Sequence, residues 1–445
     1  MTETTTTGFT RAALAALQAG EPAFAAALRE RAFASFEAMP APSPETEEWR
    51  YTDLTALDLS RFTPLAEEPK AASLEEVAPE PLAAAAAGGE RAALSIQHNS
   101  TVVSAHLDPE EAARGVVFCS LDEAVRRRPE LVEGRLHYAV AADRTKFSAL
   151  HAAFRTGGTF VYVPANVKVE FPLQSVTYVD RDGVAVFPHT LIVLEEGAEL
   201  TFVDRLYSHD LEGVLSDAAV EIFAGPGSNL RYLSIQEWGR GVTHLSVQRA
   251  VIGADATVRS LAVAFGAALA RTELESVLVE PGAHSEMLGL YFAEGRQHLD
   301  FRALQDHVAP HCSSDLLCKG ALTDEARSIF SGTVAIRPNA QKSDAFQTIR
   351  NMVLSEKARA MSVPNLEIEA NDVRCGHAAS DGPVDPDTLF YIQSRGVPFA
   401  EAEKLVVTGF FQEVLDRVTL ADVKEALEAT IAAELEREVE KARAR

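Results

Sequence analysis

Residues Gly197–Leu230 read GAELTFVDRLYSHDLEGVLSDAAVEIFAGPGSNL, and this stretch decides the fold. It opens and closes on one phrase: a turn, a small residue and a β run. The phrase stands at Gly197-Ala198-Glu199-Leu200 and again at Gly227-Ser228-Asn229-Leu230. It returns at Asp255-Ala256-Thr257-Val258 and Gly282-Ala283-His284-Ser285. The same phase continues through His311-Cys312 and Asn339-Ala340 to Ala370-Asn371, at intervals of roughly 27 to 30 residues. Periods of this size mark solenoids, propellers or arrays, and one coil of a β-helix uses about this much chain. From Gly158 to about Val373, apolar or alternating runs such as Thr159-Phe160-Val161-Tyr162-Val163 and Leu191-Ile192-Val193-Leu194 follow one another without helix signals. Repetition alone leaves an irregular β-sandwich as the alternative.

Working outward, residues 10–38 read as two Ala-rich amphipathic helices. Gly20-Glu21-Pro22 divides them and Pro40-Ala41-Pro42-Ser43-Pro44 ends the second. Residues 64–92, rich in Ala, Glu and Pro, read as a loose connection or frayed helix with few groups to bury. Residues 93–155 look mixed, with a β run at Val116-Val117-Phe118-Cys119 and a helix around Lys146 to Phe154. After Asp385 the chain is helical, with apolar faces from Leu389, Ile392, Leu405, Val406, Phe410, Val414, Leu415 and Val418. The tail from Asp422 carries a narrower stripe of Val423, Leu427, Ile431, Leu435 and Val439. Its charged remainder points to a surface or partner-facing helix. The chain divides into an N-terminal helical and mixed region (1–156), a β-helix core (157–377) and a C-terminal helical domain (378–445). Because each coil of a solenoid contacts mainly its neighbours, residues 386–445 read as an appendage that the stack can lose without unfolding.

Composition narrows the function. With 445 residues and a formal net charge of −24, the chain is a poor non-specific ligand for nucleic acid or anionic membrane, both polyanions. No run of eighteen apolar residues occurs, and MTETTTTGFTRAAL lacks the basic and apolar regions of a secretory leader. Four cysteines at unpatterned spacings fit a reducing cytoplasm. No G-x-x-x-x-G-K-[ST] occurs, so the chain is not expected to hydrolyse ATP by itself, and no H-E-x-x-H, C-x-x-C or G-x-S-x-G occurs either.

The chemistry gathers in NLEIEANDVRCGHAASDGPVDPDTLFYIQSRG, residues 365–396. Leu366, Ile368 and Ala370 alternate as in a half-buried strand. Asp381-Gly382-Pro383 reads as a loop, and Asp385-Pro386-Asp387 as a helix start. Between them lie Cys375 and His377, which a strand places on one face. A thiolate beside an imidazole suits iron, zinc or an iron–sulfur species, but two ligands do not complete a tetrahedral site. Either the pair only packs, or further ligands come from elsewhere. Cys312, Cys318 and Cys119 read as core, and His307 and His311 as polar groups satisfied at solenoid corners.

The same stretch resembles the SufD branch of the SufB/SufD family of iron–sulfur cluster assembly scaffolds, whose signature runs strand, C-x-H-x-A, acidic turn, LFYL-x-SRG. Glu48-Trp49-Arg50-Tyr51-Thr52 resembles the family's EWRYT motif. Asp306-His307-Val308-Ala309-Pro310-His311-Cys312-Ser313 resembles its DH-x-x-PH-x-S segment, followed by Lys319-Gly320. Gln341-Lys342-Ser343-Asp344-Ala345, Gln347-Thr348 and Arg350-Asn351 resemble its QKTDA-x-QT-x-RN segment. The chain has Cys375-Gly376-His377-Ala378-Ala379 where SufB proteins carry an EHEAT-type motif, and it lacks SufB's upstream cysteine in a CDSL-like segment.

The resemblance implies a right-handed parallel β-helix and a non-catalytic scaffold that pairs with SufB near the end of the helix. It implies recruitment of the SufC ATPase to the C-terminal domain, with Leu389, Phe390, Tyr391, Arg395, Gly409 and Phe410 as the docking residues. It also implies a role for His377, and for Cys375, in iron or iron–sulfur cluster binding shared with SufB. No cofactor is expected to be held stably by the chain alone; iron or a cluster would pass transiently at the SufB interface. No nucleic-acid or membrane partner is implied, and the isolated chain can pair with a second copy of itself. The rival readings are a carbohydrate-active β-helix enzyme and a structural solenoid that only mediates contacts.

Overall fold

A computed structural model describes residues 8–65 and 67–444. The N-terminal tip in which no leader was read lies partly outside these residues. Two long sheets run side by side. The first contains, in spatial order, β2 (Thr101–Leu107), β1 (Ala93–His98), β5 (Leu173–Val179), β8 (Glu199–Ser208), β10 (Asn229–Glu237), β12 (Thr257–Ala264), β14 (His284–Ala293), β16 (Ser313–Leu322), β18 (Asp344–Val353) and β20 (Arg374–Pro383). The second contains β3 (Val117–Ser120), β4 (Thr159–Val163), β7 (His189–Leu194), β9 (Val214–Ala224), β11 (Val242–Ile252), β13 (Leu269–Leu278), β15 (His298–His307), β17 (Arg327–Ile336) and β19 (Arg359–Ile368), with the short β6 (Ala185–Val186) beside β9. The chain alternates between the sheets, one strand in each per coil, and every pairing is parallel except β1–β2 and β3–β4. The fold is therefore mainly β, a parallel β-solenoid with helices at both ends.

The repeat phrase marks the corner before each strand of the first sheet. Ala198, Ser228, Ala256, Ala283 and Cys312 stand one position ahead of β8, β10, β12, β14 and β16, and all are buried. Only a small side chain fits where the backbone turns inward against the coil beneath. In the last two coils that column passes to Ser343 and Val373. Ala340 and Ala370, read from sequence as its continuation, belong with Ala309 to a second buried column four positions ahead of the strand.

The helices are α1 (Arg11–Gln18), α2 (Ala23–Ala38), α3 (Glu80–Ala87), α4 (Pro109–Ala113), α5 (Leu121–Arg127), α6 (Pro129–Val132), α7 (Lys146–Phe154), α8 (Pro386–Gln393), α9 (Phe399–Leu415) and α10 (Ala421–Ala444). Residues 64–92 are not loose. Leu74, Leu82, Ala83 and Ala86 are buried against Ile96, Val103 and Val176, because Ala is both a strong helix former and small enough to seat α3 on the sheet. The 93–107 segment, read only as mixed, supplies the hairpin β1–β2 that ends the first sheet. The outer face of the second sheet is covered by the N-terminal region: Phe33, Trp49, Phe62, Phe147 and Phe154 pack on Phe187, Leu215 and Leu245. The Glu48–Leu54 motif is the fastening. Arg271 lies over the Trp49 ring at 4.0 Å and donates to the Glu48 carbonyl at 2.6 Å, while Thr52 donates to Asp300 at 2.5 Å.

The C-terminal helices cover the outer face of the first sheet. Val407, Phe411 and Val414 of α9 and Val423, Leu427, Ile431 and Leu435 of α10 share one core with Leu233, Leu261, Leu288 and Leu317 of the sheet. Of the two readings of α10, surface or partner-facing, the surface one holds and its apolar stripe is spent on its own chain. The side chain of Val439 lies outside the described residues. The shared core corrects the reading of 386–445 as a removable appendage, since the helices bury apolar surface of five successive strands. Lys319 fixes the contact, donating to the Phe410 carbonyl at 2.7 Å and pairing with Glu413 at 2.6 Å.

Candidate functional site

The two sheets begin on the antiparallel pairs β1–β2 and β3–β4 and finish, at the open end of the stack, on the parallel strands β19 and β20. β19 and β20 each pair on one side only, as β2 and β3 do at the other end. Their outer edges carry backbone groups with no partner strand among the described residues. Asp381-Gly382-Pro383, read as a loop, is strand: pairing with β18 continues to Val353–Pro383. Asp381 secures it, accepting from Asn351 at 2.7 Å, the Ser362 backbone at 3.0 Å and the Ser362 hydroxyl at 2.7 Å. Gly and Pro are tolerated there because an edge strand does not need every donor.

Cys375 and His377 sit on this last strand. Cys375 tops the inward column of Leu230, Val258, Ser285, Ser314 and Ala345, and His377 stands over Gln347. With no further coil above, the thiol is half-buried and the imidazole exposed. Burial first, and the Asp344 carboxylate second, hold the Cys375 thiol above its ordinary value. It rests as a thiol, and a metal ion would have to displace its proton. Among the described residues no third His, Cys, Asp or Glu converges on the pair.

The interior beneath holds buried polar groups among apolar ones. Gln347 is fully buried with both amide atoms unpartnered. Gln305 and His307 both meet the Ser314 hydroxyl at 2.7 Å, leaving Gln305 Oε1 and His307 Nδ1 without partners. Lower coils hold Leu200, Leu230, Phe202 and Tyr232 in the same columns. Beneath Cys375 the polar groups alternate with an apolar cluster of Val334, Ile336, Ala340, Ala345 and Ala370, against which Cys375 packs. Cys312 and Cys318 are buried, and the half-buried Cys119 has its thiol pushed up to about 12 by burial.

The sequence-derived docking residues lie along α8 and α9. Asp385 caps α8, accepting from the Asp387 and Thr388 backbone at 3.2 Å. Phe390 is 73% exposed and Tyr391 58%, with Arg395 over the Tyr391 ring at 5.0 Å. Leu389 points the other way into a small core with Val384 and Ala402. Gly409 is exposed with open space above it, and Phe410 is half-buried against the sheet. Phe399 and Leu405, 54% and 57% exposed, extend the apolar surface. No helix among the described residues is long and apolar enough to cross a membrane.

These features define a scaffold: a parallel β-solenoid clothed by its own ends, with an unpaired sheet edge and a soft-ligand pair upon it. Residues 177–410 match the family described as SUF system FeS cluster assembly, SufBD core domain, and residues 3–175 match the SufBD protein N-terminal region. The chain is 32% identical over 417 residues to the iron–sulfur cluster assembly protein SufD of Bacillus subtilis, covering 92% of this chain and 94% of the relative. It is 37% identical over 328 residues to an iron–sulfur cluster assembly SufBD family protein of Mycobacterium tuberculosis, covering 71% of this chain and 79% of the relative. The chain belongs to the SufBD family of iron–sulfur cluster assembly proteins, and within it is SufD-like.

Proposed function

We propose that the chain is the SufD-type scaffold subunit of a SufB–SufC–SufD complex acting in the cytoplasm. The observation that carries this is the open end of the solenoid, where the outer edges of β19 and β20 have no partner strand among the described residues and β20 carries Cys375 and His377. A SufB subunit would add its strands to that edge, as extended segments do at any exposed ladder. Phe346, Met361, Leu366 and Ile368, each more than a third exposed, would supply apolar contact. SufB would also complete the ligand set for the iron or cluster that is the complex's cargo. The SufC ATPase would dock on Phe390, Tyr391, Phe399 and Leu405, whose exposure exceeds what the helical layer needs for its own packing.

The test is co-purification with SufB and SufC, followed by cluster yield in cells that depend on this pathway. Met361→Asp with Ile368→Asp is expected to abolish SufB association at an unchanged melting temperature. His377→Ala should leave the complex intact and lower cluster yield. SufB association that survives the double aspartate substitution would refute the edge pairing, and normal yield in His377→Ala would remove His377 from the site.

A further inference from the structure

Far from the open end, three histidines meet inside the molecule. His137 follows α6, His151 lies on α7 and His189 begins β7. One ring nitrogen from each lies within 4.8 Å of the others, and all three side chains are more than nine-tenths buried. The remaining nitrogens settle which atoms carry protons. His151 Nδ1 lies 2.8 Å from the Asp217 carbonyl, which can only accept, so that nitrogen bears the hydrogen and Nε2 is bare. His189 Nε2 lies 3.0 Å from Glu221. The carboxylate of Glu221 already accepts from the backbone of His137, Ala139 and Val140 at 2.7 to 2.9 Å. Burial raises Glu221 to about 7; in its ionised form it only accepts, so His189 then donates through Nε2 and leaves Nδ1 bare. His137 Nδ1 faces the Val140 carbonyl at 3.4 Å, and its Nε2 has no partner.

With Glu221 ionised, His151 Nε2 and His189 Nδ1 turn lone pairs toward each other, and a ring nitrogen of His137 lies within 4.8 Å of both. His151 Nε2 and His189 Nδ1 stand 3.2 Å apart, the spacing of a hydrogen bond that lacks its hydrogen. A proton there would create a buried imidazolium within reach of the Arg155 guanidinium, whose charge bears on all three rings. Tetrahedral ligation at about 2.0–2.1 Å sets ligand nitrogens about 3.3–3.4 Å apart, close to the observed pair. Each ring also gives its other N–H to a carbonyl or carboxylate, the arrangement that orients metal-bound histidines. His137 reaches its place through a left-handed backbone, φ 55°, which a non-glycine residue adopts at a penalty. A cavity of about 30 Å³ beside His151 is lined by Val140, Ser148 and Asp217, whose Oδ2 is unpartnered, and has room for a water next to that ring.

We propose that His137, His151 and His189 form a buried site for a divalent cation of the zinc type, tying the segment before the solenoid to its first coils. The site is independent of Cys375 and His377 and of the cluster chemistry proposed for them. The test uses the full chain purified from zinc-supplemented medium, with elemental analysis, and a parallel preparation grown with cobalt. We expect about one metal per chain in the wild type and in Cys375→Ser/His377→Ala, and at least a five-fold loss in His137→Gln and His189→Gln. The cobalt protein should show the visible bands of a tetrahedral ion without thiolate charge transfer. That spectrum is read on the wild type, so it decides even if the histidine variants fail to fold. Chelation at raised temperature should lower the wild-type melting temperature, and zinc should restore it. A wild type that binds neither zinc nor cobalt overturns the proposal. So does metal lost only from Cys375→Ser/His377→Ala, or retained in both folded histidine variants.

Discussion

At the scale of single residues, the interior histidines make stability depend on pH. Burial pushes His307 down to about 4 and His244 down to about 3. In the unfolded chain each would titrate near 6.5. Below about pH 6.5 the unfolded state takes up protons that the folded state refuses, so stability falls as pH drops. Each contributes up to about 1.4 kcal/mol per pH unit, levelling off below the folded values; above about 6.5 both forms are neutral and add no slope. We expect the melting temperature to fall from pH 7 to pH 5, and His307→Gln, which keeps an arm toward Ser314 but cannot be charged, to flatten the fall. An unchanged slope in that variant would remove His307 as a cause. Gly158 makes a different demand. Its φ is +78° and an added Cβ would press into the His189 backbone. Gly158→Ala combines a left-handed penalty of about 1–2 kcal/mol with a backbone clash, so we expect a loss above about 2 kcal/mol, read as a lower melting temperature.

At the scale of elements, the two faces of α8 and α9 separate stability from recognition. Phe411 is fully buried between α9 and the first sheet, so Phe411→Ala should destabilise by about 3–5 kcal/mol. Phe390→Ala, at a site 73% exposed, should stay within about 0.5 kcal/mol of the parent yet weaken capture of SufC. Thermal melts with a pull-down on both variants would expose a reversal of that pattern. The elements also show what a sequence can carry. Corner residues such as Ala198, Ser228 and Ala256 repeat because each meets the same neighbour one coil away, so the solenoid was legible as a period. The alternation of Cys375 and His377 was equally local. The packing of Leu427 and Ile431 on Leu261 and Leu288 was not, because an apolar stripe does not name the face that will cover it. Nor was the meeting of His137, His151 and His189, which no helical or strand spacing relates, or the polar lining of Gln305 and Gln347, set by register between strands.

At the scale of the whole molecule, the chain uses its two ends as coats. The N-terminal region covers the second sheet and the C-terminal helices the first, where they reach as far as Met352 of β18. Deleting residues 386–445 would strip Leu233, Leu261, Leu288 and Leu317 of their cover. We expect the truncated chain to aggregate, or to bind a hydrophobic dye and melt well below the full chain; a soluble product melting at the parental temperature would contradict the shared core. The coat on the first sheet has a further consequence in time. Strand residues up to Leu317 leave the ribosome about 120 residues ahead of Leu435, a delay of roughly 6–24 s at about 5–20 residues per second. For that interval the nascent chain shows an apolar, β-rich wall to solvent, so its yield during synthesis should depend on chaperone supply far more than the stability of the finished protein would suggest.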